Sequence, residues 1–353
     1  MKKVRFVSNC FTVVFVLVII TAGLCVNQQP VYKGHNLPRL RGAMAGTELT
    51  PEDLRFFAEE WNGNLIRWQF MRNWGIPNTD RDTAEYNRWL RGELDNLDNL
   101  IPYCKKYGIK LVLDMHSPPG GRYENSDIAM FYEPIYADLF VKNWKMMANR
   151  YKGEDIIWAF DLLNEPTQRK TPEEGDDFFR TLQKRAAMAI RDVDSDRTII
   201  FAPDDWGLPH SFAKLQPIDM KGVIYTAHVY WPHAYTHQDR PDLPKQVYPS
   251  EKANKETLRE HLAPVRAFQL AHNVHIYAGE FSAIRWAEGA DRYLSDCIEL
   301  FEEYGWDWSY HAFREYHGWS LEHGSDKNSL ETVETNPRKE AVLKWFSKNV
   351  RAK

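Results

Sequence analysis

Ile156-Ile157-Trp158-Ala159-Phe160-Asp161-Leu162-Leu163-Asn164-Glu165-Pro166 begins as a nearly unbroken apolar run and ends on an amide, a carboxylate and a proline. A strand covered on both faces is apolar along its whole length, as strands of parallel sheets are. Charge at the end of such a strand must face an open mouth or be paired. The pattern returns on both sides of this stretch. Before it lie RLRGAM (centred on 40–44), NLIRWQF (64–70) and IKLVLDMH (109–116). After it lie RTIIFAP (197–203), GVIYTAHVY (222–230), VHIYAGEF (274–281) and GWDWSYHAF (305–313). Together these are eight candidate strands.

The segments between them carry helix signals. Thr50-Pro51-Glu52-Asp53 supplies a cap, a first-turn proline and first-turn acids before Leu54 to Trp61. Tyr86 to Tyr107 places Leu90, Leu94, Leu97, Ile101 and Cys104 at helical spacing and stops at Gly108. Thr171-Pro172-Glu173-Glu174 opens another helix running towards Ile190. Eight βα units with no second hydrophobic block predict a single-domain (β/α)8 TIM barrel over residues 26–353. A doubly wound open sheet is the other arrangement, but no glycine-rich phosphate loop follows an early strand. Irregular stretches are expected at Asn27 to Asn36, at 231–255 and at Asn328 to Pro337. The 231–255 segment follows the sixth strand, which makes it a candidate groove wall.

Composition narrows the class. The formal charge of −4, without basic runs, gives no reason to expect a nucleic-acid partner. Residues 1–25 have the form of an export signal: Lys2, Lys3 and Arg5, an apolar run from Phe11 to Ile20, then small residues at Thr21 to Gly23. The apolar stretch is short for a membrane span, so the mature form is expected to be secreted, periplasmic or at the cell surface, without a span. An uncleaved anchor is the alternative, and Leu24 argues against lipid modification of Cys25. Removing a leader with three basic and no acidic residues leaves 42 basic and 49 acidic ones, a net −7. Cleavage there leaves Cys104 and Cys297, which fall in separated helices and are not expected to pair. The protein is expected to act as a monomer. Thirteen Trp and seventeen Tyr exceed what a core alone needs, and a sugar groove uses such rings as stacking platforms.

Polar residues gather at the strand ends: Arg67, His116, Asn164 with Glu165, His228 with Tyr230, and Glu280. Two carboxylates, Glu165 after the fourth strand and Glu280 after the seventh, face each other across one barrel mouth. That arrangement suits glycoside hydrolysis, where one carboxylate attacks the anomeric carbon and the other protonates the leaving oxygen.

The motifs LLNEP, AGEF, the strand-end Arg67, DMH (114–116) and HVY (228–230) together resemble glycoside hydrolase family 5, over the chain from about residue 38. The resemblance implies a retaining β-glycosidase on a (β/α)8 barrel, with Glu165 as acid/base and Glu280 as nucleophile. It places Asn164 against the sugar 2-hydroxyl, Tyr230 and Arg67 as donors to Glu280, His228 near Glu165, and His116 at a hydroxyl of the −1 subsite. It implies a β-glycan substrate, no cofactor and no metal, with endo-β-1,4-glucanase first, β-mannanase second, and exo-acting β-glucosidase or β-1,3-glucanase third. The family's stacking Trp after the eighth strand is missing, because His311 takes its place. Trp308 lies three residues earlier and Trp319 eight later. Either Trp319 folds back as the platform, or the −1 sugar is gripped differently. Trp74, Trp206, Trp231 and Trp286 are further candidate platforms.

Two other readings compete. A metal-dependent barrel hydrolase would use Asp114, His116 and His228 as ligands, but it leaves Asn164 and Glu165 unexplained. A glycan-binding barrel without turnover would share the fold, although both carboxylates are present.

Overall fold

Thr50 accepts from the Asp53 amide while the Asp53 carboxylate accepts from the Thr50 amide, and Pro51 occupies the first turn. The first helix, α1 (Pro51–Glu59), therefore starts where its cap residues place it. Asp82 caps α2 (Thr83–Tyr107), and Gly108 ends it in the left-handed region at φ 66°. In this computed structural model, residues 33, 35–169, 178–238 and 245–351 are described. The proposed leader and the helix start at Thr171 to Glu174 lie outside the described residues. The later helices are α3 (Pro134–Arg150), α4 (Phe178–Arg191), α5 (His233–Thr236), α6 (Lys255–His272), α7 (Ala290–Tyr304) and α8 (Pro337–Phe346).

The eight apolar runs form eight strands: β1 (Arg41–Ala45), β2 (Leu65–Gln69), β3 (Lys110–Asp114), β4 (Ile157–Asp161), β5 (Thr198–Phe201), β6 (Val223–Val229), β7 (Ile276–Phe281) and β8 (Asp307–Tyr310). They pair in sequence order, all parallel, and β8 returns to β1 to close the barrel. β1 runs close against β2 at Gly42, where a Cβ would lie 1.8 Å from the Leu65 carbonyl oxygen. Only glycine fits there.

One unit departs from the predicted alternation. Between β5 and β6 the connection makes a short 3₁₀ turn (Pro209–Ala213) in place of an α-helix. Pro203, Pro209 and Pro217 interrupt this stretch, and proline lacks the amide a continuous helix needs.

Apolar residues fill two regions. Leu40, Leu65, Val112, Ala159, Ile200 and Ile224 pack inside the barrel, while a larger cluster lies between the strands and the helices. The N-terminal end is closed by Asp307. His35 Nε2 and His275 Nε2 reach its Oδ2 at 2.6 and 2.8 Å, and the Leu40 amide donates to Oδ1 at 2.8 Å. The Leu37 amide donates to His35 Nδ1, which leaves the ring proton on Nε2 to face Asp307. Cys104 and Cys297 are buried and unpaired, as expected. No helix among the described residues is long and apolar enough to cross a membrane.

Candidate active site

Inward-facing positions recur every second residue along a strand, so each strand can be followed from the apolar floor to the mouth. On β2 the order is Leu65, Arg67, Gln69; on β3 and beyond it is Val112, Asp114, His116; on β6 and beyond it is Ile224, Thr226, His228, Tyr230. Strict alternation would turn Glu280 outward on β7. The pairing with β6 steps from Ala227–Ala278 to His228–Glu280, which leaves Gly279 as an extra residue. This bulge re-aims Glu280 into the barrel. A Cβ at Gly279 would meet Thr226 Oγ1 at 2.4 Å, so the bulge requires glycine.

Arg67 is the hub of the buried layer beneath the mouth, fully buried. It donates to Asp161 at 2.8 Å, to Glu280 Oε1 at 2.7 Å and to Asn164 Oδ1 at 3.0 Å, and lies 3.1 Å from Asp114. Tyr230 donates to Glu280 Oε2 at 3.0 Å. Burial alone would raise the Glu280 carboxyl, but His228 and Arg67, followed by His311 and His116, hold it far below the usual carboxylate range. Burial pushes Asp161 the other way, up to about 6, against the pull of Arg67.

His228 Nδ1 lies 2.9 Å from Glu165 Oε1 and 3.6 Å from Glu280 Oε2. Burial opposes charge on this ring, yet Glu280 and Glu165 outweigh it and raise its affinity for a proton. Ligating atoms of Glu165, His228 and Glu280 all lie within 4.8 Å of one another. His116 Nδ1 meets Asp114 Oδ2 at 2.8 Å, so its Nε2 accepts from Asn164 Nδ2 at 3.1 Å. The alternative metal set does not assemble, because Asp114 is taken up by His116 and Arg67 while His228 turns to Glu165.

Above this layer opens a cleft of about 780 Å³. Of the site residues expected from the sequence, His116, Glu165, Trp206, Tyr230, Glu280, His311 and Trp319 line it. Arg67, Asn164 and His228 lie just beneath it, at 0–1% exposure. Trp319 does fold back: its ring stacks on His311 at 5.4 Å and 26° and approaches Tyr230 at 6.0 Å. Trp74 also borders the cleft. The other candidate platforms are displaced. Trp286 lies under Arg285 and Lys327, Trp231 stacks on His261, and Trp308 is sealed in the core against Phe346. Position after a strand was the sequence cue, but ring direction is set by what the loop packs against. From the expected wall at 231–255, His233 and His237 reach the cleft; residues 239–244 fall outside the described residues.

Several residues at the site escaped the sequence reading. Gln69 belongs to the same inward row as Arg67 on β2, and Asp161 ends β4 facing the same layer, so extending the two-residue period would have found both; Asp114, read from the sequence only as a motif residue and a metal ligand, instead pairs with Arg67 and His116. Arg122 and Glu315 sit on loops and left no such signal. Arg122 donates to the carbonyls of Asn164 and Glu165 at 3.1 and 2.8 Å, and its guanidinium lies 5.2 Å from Trp74 and 4.8 Å from Trp206. It thereby braces Glu165, whose φ of 48° is in the sparsely populated left-handed region. Burial pushes the Arg122 guanidinium down to about 10, with Glu165 and Asp127 opposing.

Comparison with known proteins agrees with this geometry. A profile of the family described as Cellulase (glycosyl hydrolase family 5) matches residues 26–317. Endoglucanase C of Acetivibrio thermocellus is 29% identical over 300 residues, covering 75% of this chain and 84% of that protein. A crystal structure of a glycoside hydrolase superposes with a TM-score of 0.69 at 24% identity, covering 87% of this chain and 99% of that one. Endoglucanase Cel5A of Thermotoga maritima superposes with a TM-score of 0.67 at 22% identity, over 86% and 96% of the two chains. These two likenesses carry the fold.

Proposed function

The chain belongs to glycosyl hydrolase family 5 and is an O-glycoside hydrolase, and on that premise we propose that it is a retaining endo-β-1,4-glucanase with Glu165 as acid/base and Glu280 as nucleophile. The observation that carries the reading is that Glu165 and Glu280 each bring one oxygen to within 4.8 Å of the other around His228, a nearest approach that favours the shorter, retaining separation. Retaining enzymes hold them about 5–5.5 Å apart, whereas inverting enzymes leave roughly 6.5–9.5 Å for a water.

Glu280, held ionised by Arg67 and Tyr230, attacks the anomeric carbon as Glu165 gives its proton to the departing glycosidic oxygen. The C–O bond breaks and a glycosyl ester forms on Glu280. Glu165, now ionised, takes a proton from water, which attacks the same carbon and releases Glu280. Two inversions give net retention. His228, between the carboxylates, stabilises whichever is charged. Asn164, with its oxygen on Arg67 and one Nδ2 hydrogen on His116, has one hydrogen left for the sugar 2-hydroxyl. The leader-like composition of residues 1–25 supports action outside the cytoplasm.

Sugar release from β-1,4-glucan, mannan and β-1,3-glucan tests the substrate. Glu280→Ala should abolish turnover, and azide should restore part of it with inverted product, since the anion attacks from the face Glu280 vacates. A variant that keeps much of its rate without azide would remove Glu280 from the role.

A further inference from the structure

We propose that Glu315, held by Gln69 and His311, is a specificity-determining residue that accepts hydrogen bonds from free hydroxyls on the far side of the sugar attacked by Glu280; this rests on the assignment of Glu280 as nucleophile. The family's indole platform is replaced here by His311, and both nitrogens of that ring are engaged. Nδ1 faces the Tyr230 hydroxyl at 2.5 Å, and Nε2 faces Glu315 Oε1 at 3.3 Å. Trp319 backs the ring. A sugar entering the mouth therefore meets hydrogen-bonding edges here, with a carboxylate among them.

Glu315 borders the cleft together with Gln69, His311 and Glu280. Gln69 Nε2 donates to Glu315 Oε2 at 2.8 Å. The opposite amide orientation would set two oxygens face to face, so the carboxylate dictates this one. It leaves Gln69 Oε1 buried with no hydrogen-bond partner among the described residues, an unmet acceptor. An ionised carboxylate has roughly four acceptor sites, and Glu315 spends two of them on Gln69 and His311. The spare acceptors border the cleft beside the orphaned amide oxygen, and both call for donors. Sugar hydroxyls are donors.

Distance places the recognised hydroxyls. His311 Nδ1 is 4.0 Å from Glu280 Oε2, and Glu315 lies just beyond the other nitrogen of the same ring. One imidazole thus separates nucleophile from acceptor, about the span of one pyranose. A sugar with its anomeric carbon at Glu280 turns its C3 or C6 hydroxyl towards Glu315, since its C4 oxygen links it to the next sugar of a β-1,4-glucan and is free only in a single glucoside.

The test compares an aryl β-glucoside with its 3-deoxy, 4-deoxy and 6-deoxy counterparts in wild type and in Glu315→Gln. A hydrogen bond to a charged group predicts that wild type loses roughly 10- to 100-fold in kcat/KM on at least one deoxy substrate. In Glu315→Gln that same penalty should shrink to within about 3-fold, while the penalties for the other positions stay as they were. Gln69→Met, which loosens the carboxylate without removing it, should shrink the same penalty in part, and it carries the test if Glu315→Gln does not fold. Equal deoxy penalties in wild type and both variants would overturn the proposal. Full rate in Glu280→Ala would instead bring down the nucleophile assignment.

Discussion

Replacing Arg67 with Met keeps most of the aliphatic stem and removes the cation that three buried carboxylates share. The guanidinium sits 2.7 Å from Glu280, 2.8 Å from Asp161 and 3.1 Å from Asp114. At an effective dielectric of about 20, each such pair attracts by roughly 5–6 kcal/mol. Most of that is offset by the desolvation Arg67 has already suffered, and removing one partner of a buried pair costs about 3–5 kcal/mol. The expected fall in melting temperature is roughly 6–10 °C for a chain of this size. The destabilisation has a pH signature. Glu280 is held low in the folded state, so its ionised form contributes stability above the ordinary range near ~4.3, and that contribution disappears as pH falls. Arg67→Met removes it, so the gap between variant and parent should be widest at neutral pH, begin to narrow as pH falls below about 4, and shrink further as pH falls through the low folded value of Glu280. Asp161, already raised to about 6, should stay protonated to still higher pH in the variant. If about 3 kcal/mol of the destabilisation falls on Glu280, the acid limb of kcat/KM moves up by roughly two pH units. Urea denaturation from about pH 2 to pH 8, with the rate profile of an aryl glycoside, measures both. A variant that melts within about 2 °C of the parent and keeps its acid limb would refute the argument, because the carboxylates would then not depend on Arg67.

Further outcomes follow from other interactions. Glu165→Gln should lose the alkaline limb on a substrate with an activated leaving group and accumulate the glycosyl-enzyme, seen by intact-mass spectrometry; an unchanged limb would remove Glu165 from the role. His228 is raised by Glu280 and Glu165 against burial, so its share of stability is complete below the free-histidine value near ~6.5 and is lost as pH rises through its folded value. Urea midpoints of His228→Asn should therefore fall less than wild-type midpoints between pH 6 and 8, and parallel curves would contradict this. Gly42→Ala must push β1 from β2, at a cost of about 1–3 kcal/mol or more; a parent-like urea midpoint would show that the close approach is not fixed.

The eight strands and the two facing glutamates were legible in the sequence because they rest on local rules. A strand covered on both faces is apolar along its length, as 156–160 is, and a charge beyond it must reach the mouth or be paired. Caps behaved the same way at Thr50 and Gly108, where a side chain or a missing Cβ acts within a few residues. Tertiary structure decided the rest. The bulge at Gly279 determines whether Glu280 faces the barrel or the helices, and only pairing with β6 reveals it. Burial sorted Arg67, Asn164 and His228 beneath the cleft and left Glu165 and Glu280 lining it. Trp319 returns to the site from beyond β8 while Trp286 and Trp231 do not. Arg122 and Glu315 reach it from loops. A loop side chain takes its direction from partners distant in sequence, such as His311 for Trp319 and Gln69 for Glu315, and no periodicity within the loop encodes those partners.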